Sequence, residues 1–156
     1  MNIFAHGLWG VAISSKKQTN RKKLLQSVFF SVAPDIWLVI LVPYLVITGN
    51  KIPTDWTNAP EWFFPIYALT HSLVLWLIAF IGTSLVVKRP YWPQLYWLLH
   101  ILIDIPGHTK FSTPFLYPVS SYKYHASFSW ESPFYILASI SIPIIIILVK
   151  SRRARN

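Results

Sequence analysis

Residues 62–87 read WFFPIYALTHSLVLWLIAFIGTSLVV, twenty-six positions without one charged side chain. A helix needs about 20 apolar residues to cross the roughly 30 Å of a bilayer's hydrocarbon core, so this stretch is long enough with several to spare. Three comparable segments lie around it. Residues 24–48 carry a single charge, Asp35; residues 90–106 carry only Asp104; residues 133–149 carry none. The last two are 17 residues long, the lower limit for a span, and Tyr91, Trp92, Phe134 and Tyr135 stand where aromatic side chains anchor span ends at the interface. The pattern predicts an all-α, polytopic membrane bundle of four transmembrane helices, forming one domain over residues 1–156.

Composition agrees with that reading. Hydrophobic residues make up 54% and charged residues 12%, against about 25% charged in globular proteins. A chain of 156 residues cannot hide so much apolar surface and keep a charged exterior, which argues against a soluble enzyme, a disordered chain or a collagen-like fibre. The absence of cysteine excludes disulfides, thiolate zinc sites, iron–sulfur clusters and a cysteine nucleophile.

The net charge of +9 first suggests nucleic acid, but its distribution argues for a membrane. Lys16, Lys17, Arg21, Lys22 and Lys23 form one cluster, Lys88 and Arg89 a second, and Lys150, Arg152, Arg153 and Arg155 a third. These clusters fall at alternate ends of the four segments, and by the positive-inside rule those ends and the C-terminus are cytoplasmic. No nucleic-acid partner is expected. The connections 49–61 and 107–132 then face outward, and the second, with Pro114 and Pro118, reads as a packed lid. The opening MNIFAHGLWGVAISS is apolar but short, and its basic residues follow it. A cleaved signal peptide has them first, so a short inserted helix is expected, re-entrant or crossing.

Five ionisable groups sit inside the apolar segments, where each is costly: His6, Asp35, His71, His100 and Asp104. Counted from the nearest basic cluster at ~1.5 Å per residue, all fall roughly 15–25 Å from the cytoplasmic face. One shared layer suggests one shared site. His100 and Asp104 are four apart and share a helix face, so imidazole nitrogen and carboxylate oxygen can hold one ion. With His71, His6 and Asp35 the donor set is mixed nitrogen and oxygen, which suits zinc first, then manganese or iron, rather than calcium or magnesium. Pro34 would loosen its helix beside Asp35. The competing readings are interhelical hydrogen bonding and a proton relay in a carrier. His108 and His125 lie in the outer connection, where an exposed histidine is the simplest reading. Thr70 and Ser72 read as packing residues.

The ordered series His6-Gly7, Pro34-Asp35, Thr70-His71-Ser72, His100-Ile-Leu-Ile-Asp104 and Thr113-Pro-Phe-Leu-Tyr-Pro118 resembles the bacterial family of predicted inner-membrane metal-dependent hydrolases, some of them LexA-regulated. The resemblance covers roughly residues 3–120. It implies a multi-pass protein of the bacterial inner membrane with a metal site to which His6, Asp35, His71, His100 and Asp104 contribute. That family is distantly similar to the zinc-dependent phospholipase C and single-strand nuclease group, whose helical zinc motif makes His108 an extra ligand here. Two departures stand out: Pro34-Asp35-Ile-Trp-Leu38 replaces a Pro-Asp-x-Asp-His pattern, and Ile66-Tyr-Ala-Leu69 replaces a His-Arg-Gly pattern before Thr-His-Ser. With those groups missing, one metal ion is expected rather than several.

Three functions follow as expectations. The first is a hydrolase in which a bound divalent ion activates water against a phosphoester of a lipid or lipid-linked substrate. Asp35 or Asp104, whichever is less engaged, would serve as general base, and Lys110, Lys123 and His125 would hold the phosphate headgroup. The second is a small transporter or metal carrier using the same cluster, although no internal repeat is visible. The third is a structural membrane protein with polar interhelical contacts.

Overall fold

The computed structural model describes residues 3–14, 20–49, 59–109, 112–124 and 129–155. Seven α-helices run through the described residues: α1 (Ile3–Ile13), α2 (Arg21–Val32), α3 (Leu38–Ile47), α4 (Phe63–Thr70), α5 (Leu73–Val86), α6 (Leu95–Asp104) and α7 (Pro133–Arg155). Short 3-10 turns at Ala33–Asp35, Trp92–Gln94 and Ile105–Gly107 join or extend them, and no strand occurs among the described residues. The all-helical expectation holds.

The long apolar runs are not straight rods. Residues 24–48 break between α2 and α3, where the helices Arg21–Asp35 and Leu38–Ile47 meet at 47°. Pro34 causes this locally, because its ring removes a backbone donor and clashes with the preceding turn. Residues 62–87 break between α4 and α5 at 56°. There His71 ends one helix and Ser72, in extended geometry, starts the next by accepting the amides of Val74 and Leu75, each at 3.1 Å. Ser72 is thus a helix cap, a more specific task than packing.

Among the described residues, one helix can cross a membrane by length and composition, Pro133–Arg153 within α7; the two bent pairs also qualify if each pair counts as a span. The segment expected over 90–106 contains α6, ten residues long, or about 15 Å of helix, with a 3-10 turn at either end. Pro106, after the last residue of α6, cannot donate to an α-helical ladder, whereas Pro93 stands in the entering turn, where no donor is required.

The packing inverts that of a soluble protein. Ile47, Val86 and Phe134 are 84%, 82% and 77% exposed, while His6, His71, His100 and Asp104 are at most 2% exposed. Apolar outside and polar within is stable in hydrocarbon, where each polar group must find its partner inside the protein. An apolar core forms where Trp37, Leu41 and Leu45 meet Phe63 and Tyr67. α1 packs on α2 and α7, and α2 packs on α6. Close approach of α1 to α2 depends on Gly10, where a Cβ would lie 2.8 Å from the Ser27 carbonyl oxygen.

After α6, residues 113–117 form a packed cover on the junction of α4 and α5, while residues 121–124 are exposed; the lid expected over 107–132 lies in part outside the described residues. The Leu73 amide donates to the Phe115 carbonyl at 2.8 Å, the Ser72 hydroxyl donates to the Tyr117 carbonyl, and Tyr67 Oη lies 2.8 Å from Thr113 Oγ1. The cover therefore seals the break between α4 and α5.

Candidate metal centre

Three of the four ligand-bearing residues, Asp35, His71 and Asp104, sit where a helix stops or bends, and His100 lies within α6. Asp35 closes the 3-10 turn after Pro34, and His71 is the residue that terminates α4. His100 and Asp104 lie one turn apart on the inward face of α6, with Asp104 at its last position. Breaks in the helical ladder let side chains from three separate segments aim at one point.

There the ligand atoms of Asp35, His71, His100 and Asp104 all lie within 4.8 Å of one another, and all four residues are buried. His71 Nε2 is 3.1 Å from His100 Nε2, 3.5 Å from Asp35 Oδ1 and 3.4 Å from Asp104 Oδ2. His100 Nε2 is 3.5 Å from Asp104 Oδ2 and 3.8 Å from Asp35 Oδ2. A tetrahedron whose ligands stand about 2.1 Å from an ion has edges of about 3.4 Å. The observed separations cluster around that length, so the four residues could hold a metal ion.

The opposite ring nitrogens decide the tautomers. His100 Nδ1 lies 2.7 Å from the Ser31 carbonyl oxygen, and His71 Nδ1 lies 3.1 Å from that of Tyr67 and 3.0 Å from Thr70 Oγ1. A carbonyl only accepts, so each Nδ1–H donates outward, and each imidazole, when its Nε2 is deprotonated, turns that lone pair inward. Metal-binding histidines are oriented in this way. Tyr67 adds a stacked ring on His71, with centroids 4.0 Å apart. The main-chain carbonyls of Ser31 and Tyr67 are functional groups that no side-chain motif reveals, and Thr70, expected as packing, touches the His71 ring.

His6 and His108 were expected as ligands, but both fall outside the four-residue group. His6 Nε2 lies 3.0 Å from Asp104 Oδ1, the oxygen turned away from the centre, and its ring stacks on His100 at 3.6 Å. With Asp104 ionised, His6 donates to it and orients the carboxylate. His108 Nε2 is 3.4 Å from Asp104 Oδ2. The exposed reading of His108 is corrected: the residue is buried beneath Tyr67 and Trp130, because the Trp130 amide bonds the Gly107 carbonyl at 2.8 Å and folds the chain over it. Burial holds its imidazole below the ordinary histidine value, against the opposing pull of Asp104.

Of the residues expected to hold a substrate, Lys123 is exposed, while Lys110 and His125 lie outside the described residues. Sequence reasoning missed Lys150, which it counted only toward topology. Its ammonium reaches back from α7 to the carbonyls of Ala12 and Ser14, 3.0 Å to the latter, and so ties down the end of the helix that carries His6. Comparison with protein-family models, curated proteins and solved structures gave no match.

Proposed function

We propose that this chain is a multi-pass membrane protein that binds one divalent metal ion at its centre and hydrolyses a phosphoester in a lipid or lipid-linked substrate. One observation carries the metal: two imidazoles with outward-donating Nδ1 atoms bring their Nε2 atoms to 3.1 Å, flanked by two carboxylates. Two negative charges in a low-dielectric interior need two positive charges, and a single divalent ion supplies them. The mixed nitrogen and oxygen donors favour zinc, then manganese or iron. A localisation in a bacterial inner membrane rests on the family resemblance of the motifs. In this reading the two bent helix pairs and α7 are three spans, α6 with its flanking turns is the fourth, and the basic clusters with the C-terminus are cytoplasmic.

When bound, a divalent ion supplies Lewis-acid charge and lowers the pKa of water. His71 and His100 would hold it through Nε2. Asp104 is engaged on both oxygens, by His6 on one and by three imidazoles on the other. Asp35, the more open of the two carboxylates, faces His71 and His100 alone and is the better placed general base. The cover at residues 113–117 excludes water, and Lys123 is exposed in the stretch that follows it, where an ammonium can meet a phosphate headgroup.

The test is metal analysis of the purified protein beside His100→Ala, with hydrolysis of phospholipid assayed on both. About one ion per chain in the wild type, and loss of metal and hydrolysis in the variant, is the expected result. Full metal in the variant would remove the basis of the proposal.

A second reading, a metal carrier, is favoured by one feature. Asp35 and His71 both stand at breaks in apolar helices, the placement that ion sites of transporters adopt. Vesicles containing the protein would then take up zinc without hydrolysing lipid.

A further inference from the structure

A groove of about 550 Å³ runs along α2, and none of the residues lining it belongs to the four-residue metal centre. Its floor follows from helical spacing: Arg21, Leu25 and Phe29 succeed one another every four residues and so share one stripe. The far wall is Tyr91, held by the Gln26 amide at 3.1 Å and by the edge of Phe30 at 5.8 Å. The Tyr91 amide in turn donates to Ser84 Oγ at 3.1 Å, which fixes the wall to α5. The groove has two unlike ends. Arg21 and Lys22 form its mouth, and among the described residues neither makes an ion pair; Leu25 and Phe29, 58% and 52% exposed, form its apolar floor. None of the chain's five acids falls within residues 21–34 or 62–103, so the segments that line the groove offer the mouth no countercharge.

We propose that this groove binds an anionic phospholipid, with the phosphate between Arg21 and Lys22 and an acyl chain along Leu25 and Phe29. Charge complementarity selects the headgroup: a cationic mouth at the level where the helix leaves hydrocarbon attracts anionic lipid. The exposed apolar stripe below it accepts the tail, as no charged side chain interrupts α2 after Lys23. The site is separate from the metal centre and has no part in hydrolysis. It rests on the membrane reading above and not on the metal reading.

The experiment is native mass spectrometry of the full chain released from vesicles of equal phosphatidylglycerol and phosphatidylcholine. Wild type retains phosphatidylglycerol preferentially. R21Q/K22Q loses that preference by about thirty-fold, the combined effect of two basic side chains at an anionic lipid surface, and keeps the wild-type circular-dichroism melting profile in detergent, which shows that it folds. F29S lowers retention of both lipids together. Equal retention of the two lipids by the wild type, unchanged preference in R21Q/K22Q, or a second copy of the chain in place of lipid would each overturn the proposal. Protein that fails to co-float with vesicles would overturn it together with the membrane reading.

Discussion

His71 and His100 point their Nε2 atoms at each other across 3.1 Å while main-chain carbonyls of Tyr67 and Ser31 hold their Nδ1 atoms from behind. Two neutral imidazoles held in this way place lone pair against lone pair. The contact is stable only with positive charge between the rings, and the two carboxylates that flank it increase that demand.

His71→Ala and His100→Ala should therefore each weaken metal binding by more than the roughly 10–100-fold that loss of an outer hydrogen-bond partner costs. Metal content after dialysis measures this. Ser139→Ala is the control. Ser139 bonds only the Ile136 carbonyl of its own helix, at 2.9 Å, and should keep full occupancy.

Asp104→Asn preserves shape and removes charge. The amide cannot balance the ion, and it also changes the contact with His6 Nε2, which now faces Asp104 Oδ1 at 3.0 Å. Metal content and hydrolysis should both fall nearly as far as in His100→Ala. Full retention of metal would show that Asp104 positions the histidines without serving the ion.

Lys150→Met should loosen α1 without touching the centre. Hydrogen bonds from a charged donor contribute about 1.5–3 kcal/mol, and two such bonds to Ala12 and Ser14 disappear. Thermal unfolding in detergent should show a loss of about 2 kcal/mol or more. Gly10→Val should destabilise by about 1–3 kcal/mol through overpacking, since the Ser27 carbonyl opposite is backbone and cannot swing aside.

Reporters test the topology. A fusion after Asn156 should read cytoplasmic and an insertion near Asn58 external. The reverse pattern at both positions would reject the assignment of the basic clusters to the inside.

Lys123→Ala tests the cover. With Lys123 exposed in the stretch that follows it, the variant should lower hydrolysis of phospholipid at low substrate concentration and leave metal content unchanged. Loss of metal would instead make the cover part of the shell around the ion.

The apolar runs, the basic clusters and the lone polar groups between them are local properties of the chain, so sequence alone determined the all-helical class and grouped Asp35, His71, His100 and Asp104 with His6 as one expected set; the four-residue group within it came from the structure. Counting residues from the basic clusters is a one-dimensional measure of depth. It could bring five groups to one layer, but it could not say which atoms face which. That required the bends at Pro34 and at His71–Ser72, which turn each run inward. It also required the carbonyls of Ser31 and Tyr67, identical in chemistry to every other carbonyl and special only by position. Tertiary structure set His6 against Asp104 and His100 and buried His108, because ring stacking and a fold of the chain at Trp130 decide those placements. Contacts across 98 residues, such as that between His6 and Asp104, leave no periodic mark in a sequence; only the packing of α1 against its neighbours creates them.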